Sequence, residues 1–213
     1  MKHRRTAARV ALPVAVVLAL GGLSGCRTSQ LGAAAIVDGQ RITVSEVQAT
    51  LEDVSDQRRR LGMDPELGPE AARVEVERRV LDLVFERAAV DLGIVVTAAD
   101  VAATRAAEER SDEEIAQLAA QNNVSVDALD DLYRRFTIER RITDQIDKQF
   151  PGADEKKLND EFSDRLVRTA REMEIRINPR YGTFDPTVGQ IAPLKADYLQ
   201  PPAHHGENRT NTQ

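Results

Sequence analysis

The residue types best suited to covalent, acid–base or metal chemistry are confined to the ends of this chain. His3, His204 and His205 are its only histidines and Cys26 its only cysteine, so residues 27 to 203 contain neither type. A Ser/His/Asp or Cys/His nucleophile needs an imidazole to take its proton, and zinc sites lose both favoured ligand types together. A serine–lysine pair is no better served. After the N-terminal segment the lysines are Lys148, Lys156, Lys157 and Lys195, and no Ser-x-x-Lys occurs. No Walker or dinucleotide glycine pattern is present, and no EF-hand run of alternating Asp/Asn. The sequence therefore calls for no catalytic residue, no metal and no cofactor.

Carboxylates remain. Their densest group, Glu108, Glu109, Asp112, Glu113 and Glu114, surrounds a joint between two predicted helices. It reads as a solvated face whose members also suit the first turn of the following helix. Glu46 is explained by its place three residues after Thr43, the spacing of a capping box. The residues left for recognition are aromatic: Tyr133, Phe136, Phe150 and Phe162 lie on apolar sides of predicted helices. They either line a groove for extended polypeptides or belong to the core, and the two differ only in what covers them. A contiguous apolar cleft of several hundred Å² would favour the groove.

Composition narrows the classes further. The chain has 213 residues, 41% hydrophobic and 30% charged, with 4% aromatics and no Trp. This excludes a multispan membrane protein and argues against an aromatic sugar or nucleobase cleft. Its core must be built mostly from Ala, Val, Leu and Ile.

The predicted elements are mainly helical. Ile36-Val37, Asp38-Gly39 and Gln40-Arg41-Ile42 suit two short strands around a tight turn. Helices are predicted from Val44 to Leu61, Pro69 to Leu92, Thr97 to Glu109, Ser111 or Asp112 to Ala120, Ser125 or Asp127 to Phe150, and Asp154 to Arg171. The stretch Val80 to Ile94 carries ten apolar residues and is the candidate central helix. From Met173 the period changes to two: Met173, Ile175 and Ile177 alternate with charged residues as in a half-buried strand. A lone short strand needs a partner, so this one is expected to pair with the strands near 36–42. The Pro/Gly/Gln/Asn-rich stretch from Pro186 to Gln213 reads as a disordered tail.

Before the fold comes an address. Lys2, Arg4, Arg5 and Arg9 precede an apolar run from Val10 to Leu20, too short to span a bilayer and suited to an export signal. Leu23-Ser24-Gly25-Cys26 resembles the bacterial lipobox, which implies that residues 1–25 are removed and that Cys26 carries a diacylglycerol. Residues 26–35 then form a flexible tether. Cleavage takes four basic residues and no acidic one, leaving 25 basic and 35 acidic residues and a net charge of −10. Such a body is a poor partner for nucleic acid. Acyl chains would hold it to the membrane.

Ile36-Val37-Asp38-Gly39-Gln40-Arg41-Ile42-Thr43 leading into a capped helix, together with Ile175 to Phe184, which contains Asn178-Pro179-Arg180-Tyr181-Gly182, resembles the two ends of the N-terminal domain of SurA-type and PrsA-type extracytoplasmic chaperones. The resemblance covers residues 36–185 and implies a helical domain, closed by short strands from its two ends, that binds unfolded or extended polypeptides. Only 28 residues follow Asp185, too few for a parvulin-type prolyl isomerase domain, so it implies a holdase without isomerase activity. The alternative is a non-catalytic adaptor that docks one specific envelope partner. The anchor is directly testable. Cys26→Ser is expected to abolish radiolabelled palmitate incorporation and move the protein out of the membrane fraction; unchanged fractionation refutes the lipid.

Overall fold

The chain enters its fold through a hairpin. In the computed structural model, which describes residues 31–193, β1 (Ala33–Val37) runs antiparallel to β2 (Gln40–Thr43). Asp38 and Gly39 join them at φ 48° and 83°. Two successive left-handed residues make the type I′ turn, whose twist suits a two-residue hairpin. Thr43 then caps α1 (Val44–Arg60), with its hydroxyl accepting from the Glu46 amide while Glu46 accepts from the Thr43 amide. The same reciprocal box opens α3 (Ala98–Ala106) through Thr97 and Asp100, and α4 (Asp112–Gln121) through Ser111 and Glu114.

Between them lies α2 (Ala71–Asp91), and after a 3-10 turn at Val126–Ala128 come α5 (Leu129–Gln149) and α6 (Glu155–Glu172). The turn begins at Ser125 with no side-chain cap, so neither Ser125 nor Asp127 caps α5 itself. Helix α2 starts at Ala71, two residues after the expected Pro69. The chain closes with β3 (Ile175–Ile177), which pairs antiparallel with β1, and a separate hairpin of β4 (Thr183–Asp185) and β5 (Gln190–Ala192). Strand β1 is the middle of a sheet ordered β2-β1-β3. The two ends of the fold thus meet in one sheet, as the sequence predicts.

Two further boundaries differ from the sequence reading. The tether expected over 26–35 ends sooner, because Ala33, Ala34 and Ala35 are strand residues, with Ala34 at 0% exposure. Alanine is a poor strand former. These residues are strand because all three are buried, the Ala34 and Ala35 methyls in the core cluster with Val47, Val76 and Val80, and because neighbouring strands satisfy their backbone. The disordered tail expected from Pro186 also begins later, since 186–192 form the turn and second strand of the β4–β5 hairpin. Ile191 is fully buried there, and that burial offsets the polar composition around it. Gly182, at φ 121°, enters this hairpin where a Cβ would run into the Ala192 carbonyl. The proposed signal peptide, Cys26 and residues 194–213 lie outside the described residues.

The core has two clusters, and α2 belongs to both. Val76, Val80 and Val84 pack with β1, Val47 of α1, Tyr181 and Ile191. Phe85, Ala88 and Ala89 continue into a second cluster with Val101, Ile115, Tyr133, Ile138, Ile142 and Ile146. Several buried polar groups between the helices are matched, although Gln145 Oε1 on α5 has no partner. Thr104 and Thr137 share a 2.7 Å hydrogen bond, and Gln57 donates to the Ala116 carbonyl and accepts from the Val126 amide. Among the described residues no helix is long and apolar enough to cross a membrane.

The three capping boxes make stability depend on pH. The Thr43 hydroxyl and amide hold Glu46 below the usual 4.5, the Thr97 amide and hydroxyl hold Asp100 below 3.8, and the Ser111 amide and hydroxyl hold Glu114 below 4.5. A carboxyl whose pKa is lower in the folded state stabilises above its unfolded value and loses that contribution as pH falls through the folded value. The melting temperature is therefore expected to fall on acidification below about pH 4.5. In the triple variant Glu46→Gln, Asp100→Asn, Glu114→Gln it should be lower near neutrality and fall less with acid; an unchanged slope refutes the assignment.

Candidate functional site

The helical period of α2 divides its surface into stripes with different tasks. Residues 76, 80 and 84 face the first core cluster. Leu81, Val84 and Phe85 face an open apolar cleft of about 240 Å³, closed on its other sides by Phe162 and Leu166 of α6 and by Phe184 and Val188 of the β4–β5 hairpin. Phe85 and Phe162 sit at a ring separation of 6.3 Å across its floor. Val188 is 62% exposed at the rim.

The hairpin wall is held by polar groups of α2 one turn apart. The Ile191 amide donates to Glu77 Oε2 at 2.7 Å, and Arg73 Nη1 donates to the Ile191 carbonyl at 2.9 Å. The pair imitates the donor and acceptor of a neighbouring strand and so closes the outer edge of β5. Asp185 tightens the turn by accepting from the Thr187 amide and hydroxyl, which lowers its pKa.

The opposite side of α2 lines a second cleft, of about 270 Å³, of different character. Glu75, only 4% exposed at its side chain, accepts from Arg78 and Arg79. Asp82 bridges Arg78 at 2.8 Å and Arg135 of α5 at 3.1 Å, while Arg134 forks onto both oxygens of Glu86 and donates to the Val96 carbonyl. Burial pushes the Asp82 carboxyl up, against the pull of Arg78 and Arg135. Burial also opposes the charge on Arg78, but the Glu75 hydrogen bond with the Glu75 and Asp82 charges outweighs it and raises its pKa. The cleft is bordered along β2 by Gln40, Arg41 and Ile42.

The four aromatic candidates do not meet in one groove. Phe162 lines the apolar cleft. Tyr133 is 5% exposed within the second core cluster, where burial raises its phenol pKa. Phe136, 40% exposed, packs edge-on against Tyr133 at 6.2 Å under the Arg135 guanidinium. Phe150 packs at the end of α5 with the Lys157 ammonium 5.2 Å from its ring. Phe85, Phe184 and Val188 were not singled out in the sequence. The local signal for the last two was the alternation Thr183-Phe184-Asp185 followed by the Asp185-to-Gly189 turn, hidden by the polar composition beyond Pro186. The acidic cluster near residue 110 is engaged locally: Glu114 caps α4 and Asp112 pairs with Arg105 at 2.7 Å. Among the described residues no group of three or more His, Cys, Asp or Glu is placed to hold a metal ion.

Residues 2–135 match the family model of the SurA-like N-terminal domain. The chain belongs to that family. The match covers more than half of the sequence and supports a non-catalytic, chaperone-type domain. No curated protein and no solved structure matches the chain. The matched region stops within α5, so α6 and the β4–β5 hairpin, which supply most of the apolar cleft, lie beyond it. In this SurA-like domain the Glu77 contact is the most exposed to test. Glu77→Ala leaves the Ile191 amide without its acceptor, and an unsatisfied buried donor costs about 1–3 kcal/mol. Faster hydrogen exchange at Ile191, with exchange in α5 much less affected, is expected; an unchanged Ile191 rate would show that the clamp does not hold the hairpin.

Proposed function

We propose that this chain is a lipid-anchored extracytoplasmic holdase, which shields exposed segments of unfolded or extended polypeptides and has no isomerase activity. The observation that carries the reading is the open apolar cleft between α2, α6 and the β4–β5 hairpin, in a domain whose family is chaperone-associated. Phe162, Leu166 and Phe184 offer an apolar surface to a large aliphatic or aromatic client side chain. Burial of such a side chain is non-directional, so it tolerates many sequences and needs no nucleotide. The lipobox-like Leu23-Ser24-Gly25-Cys26 supports anchoring at the bacterial cell membrane on its outer side, with Cys26 as the lipid-bearing residue.

At about 240 Å³ the cleft takes one or two side chains rather than a long segment. Binding at this site is therefore weak and reversible. A cleft this small falls short of the several hundred Å² of contiguous apolar surface that would favour a client groove, and so supports, as a second reading, an adaptor that seats one anchor residue of a single envelope partner.

The deciding measurement is light scattering from an unfolded outer-membrane protein diluted into buffer with and without the mature protein. A holdase delays aggregation in proportion to its concentration, and Phe184→Ser or Leu166→Gln weakens the delay while the fold is retained. No delay at several-fold excess sinks the holdase reading. Crosslinking in the envelope then separates the two: one saturable partner identifies the adaptor, and many partners the holdase.

A further inference from the structure

Two outer strand edges of this fold, those of β5 and β2, are treated in opposite ways. That of β5 is closed at Ile191 by Glu77 and Arg73. That of β2 is open, and the sheet register shows where. The Asp38 amide donates to the Glu174 carbonyl and the Asn178 amide to the Ala34 carbonyl, so the even-numbered residues of β1 turn their backbone groups towards β3. The odd-numbered Ala35 and Val37 consequently bond to their partners in β2, Ile42 and Gln40. Arg41, opposite Ile36, must then point its N–H and C=O away from the sheet. At Thr43 the next outward amide is already taken by Glu46 Oε2 at 2.7 Å. Among the described residues no turn or cap supplies a main-chain partner for Arg41.

This free pair faces the charged cleft. Gln40, Arg41 and Ile42 all border it. Side chains alternate along a strand, so three residues in a row can border one concavity only along the strand's edge. The cleft has little net charge to select a ligand by. Arg78 and Arg135 share Asp82, and Arg134 holds Glu86. Arg41, Glu46 and Asp131 line the cleft without an ion pair among the described residues, charges of both signs, with Glu46 already held by the Thr43 amide and hydroxyl. A polyanion would meet Asp82, Glu86 and Asp131. An extended main chain, with its own donor and acceptor and polar side chains of both signs, matches the edge and the charges together.

We infer that the β2 edge is a second polypeptide subsite, at which an extended client segment with polar side chains joins the sheet by exchanging main-chain hydrogen bonds with Arg41. The inference rests on the client-binding reading above and adds to the apolar cleft a site that recognises backbone rather than side chains. Because only one residue of β2 offers a free pair, the added segment is short and the contact is independent of sequence.

The test is fluorescence anisotropy with a labelled peptide of alternating Thr and Val carrying Lys and Glu at its ends. Arg41→Pro removes the edge donor at a position where proline is tolerated on an outer strand, and Arg41→Ala removes the side chain and keeps the backbone. Arg41→Pro is expected to weaken binding about fivefold or more, the fold-change for one hydrogen bond of roughly 1 kcal/mol, with Arg41→Ala close to wild type. Equal affinity for Arg41→Pro and wild type, or equal losses in both variants, overturns the inference. Should Arg41→Pro fail to fold, the wild-type protein decides with the peptide N-methylated on alternate residues. Methylation of one alternate set must weaken binding and methylation of the other must not, and identical effects overturn the inference. If wild type binds none of these peptides, the edge site is refuted, and the aggregation assay judges the holdase reading separately. A protein that delays aggregation undiminished by Arg41→Pro keeps its function and loses this subsite.

Discussion

The whole fold depends on burying α2. A helix whose apolar residues are not confined to one stripe has no solution as a surface element and must be covered on several sides. Val76, Val80 and Val84 are covered by the sheet and α1, and Phe85, Ala88 and Ala89 by the helices that follow. Each of these buried side chains contributes about 1.5–3 kcal/mol if valine- or phenylalanine-sized, so the two clusters are joined through one rod. The rest of its circumference carries an apolar stripe through Leu81 and a charged one through Glu75, Asp82 and Glu86, and these organise the two clefts.

The clefts differ because the α2 stripes that border them differ. On one side Leu81, Val84 and Phe85 leave an apolar floor, and Arg73 with Glu77 fix the hairpin that walls it. On the other, Glu75, Asp82 and Glu86 draw arginines from α2 and α5 into a network. Buried ion pairs add little net stability against an apolar alternative, but removing one partner is costly. The network therefore acts chiefly to keep α2 and α5 in one relation, and with them the concavity beside β2. The apolar side suits side-chain burial, and the charged side leaves a strand edge exposed.

The family match and the physical domain have different extents. The match stops at residue 135, within α5, whereas β1 needs β3, and the cleft needs α6 and β4–β5. Strand β1 is short and rich in alanine, and such a strand has little stability without partners on both edges. The C-terminal strands are thus integral to the domain that the N-terminal residues begin.

Much of this was legible in the sequence. Six helices, their caps at Thr43 and Thr97, the Asp38-Gly39 turn and the pairing of the two chain ends all follow from local chemistry and period, because capping, turn formation and amphipathicity are decided within a few residues. The emptiness of residues 27 to 203 in His and Cys needed no structure at all. Tertiary structure alone decided three things: that Ala33–Ala35 form a strand, that Ile191 and Phe184 make a hairpin out of a polar segment, and that Tyr133 is core while Phe162 lines a cleft. The reason is common to all three. Whether a small or apolar side chain is strand, core or binding surface depends on what distant segments lie against it, and those segments include β3 for Ala34 and α2 for Ile191, each more than a hundred residues away, and α2, many tens of residues away, for Phe162.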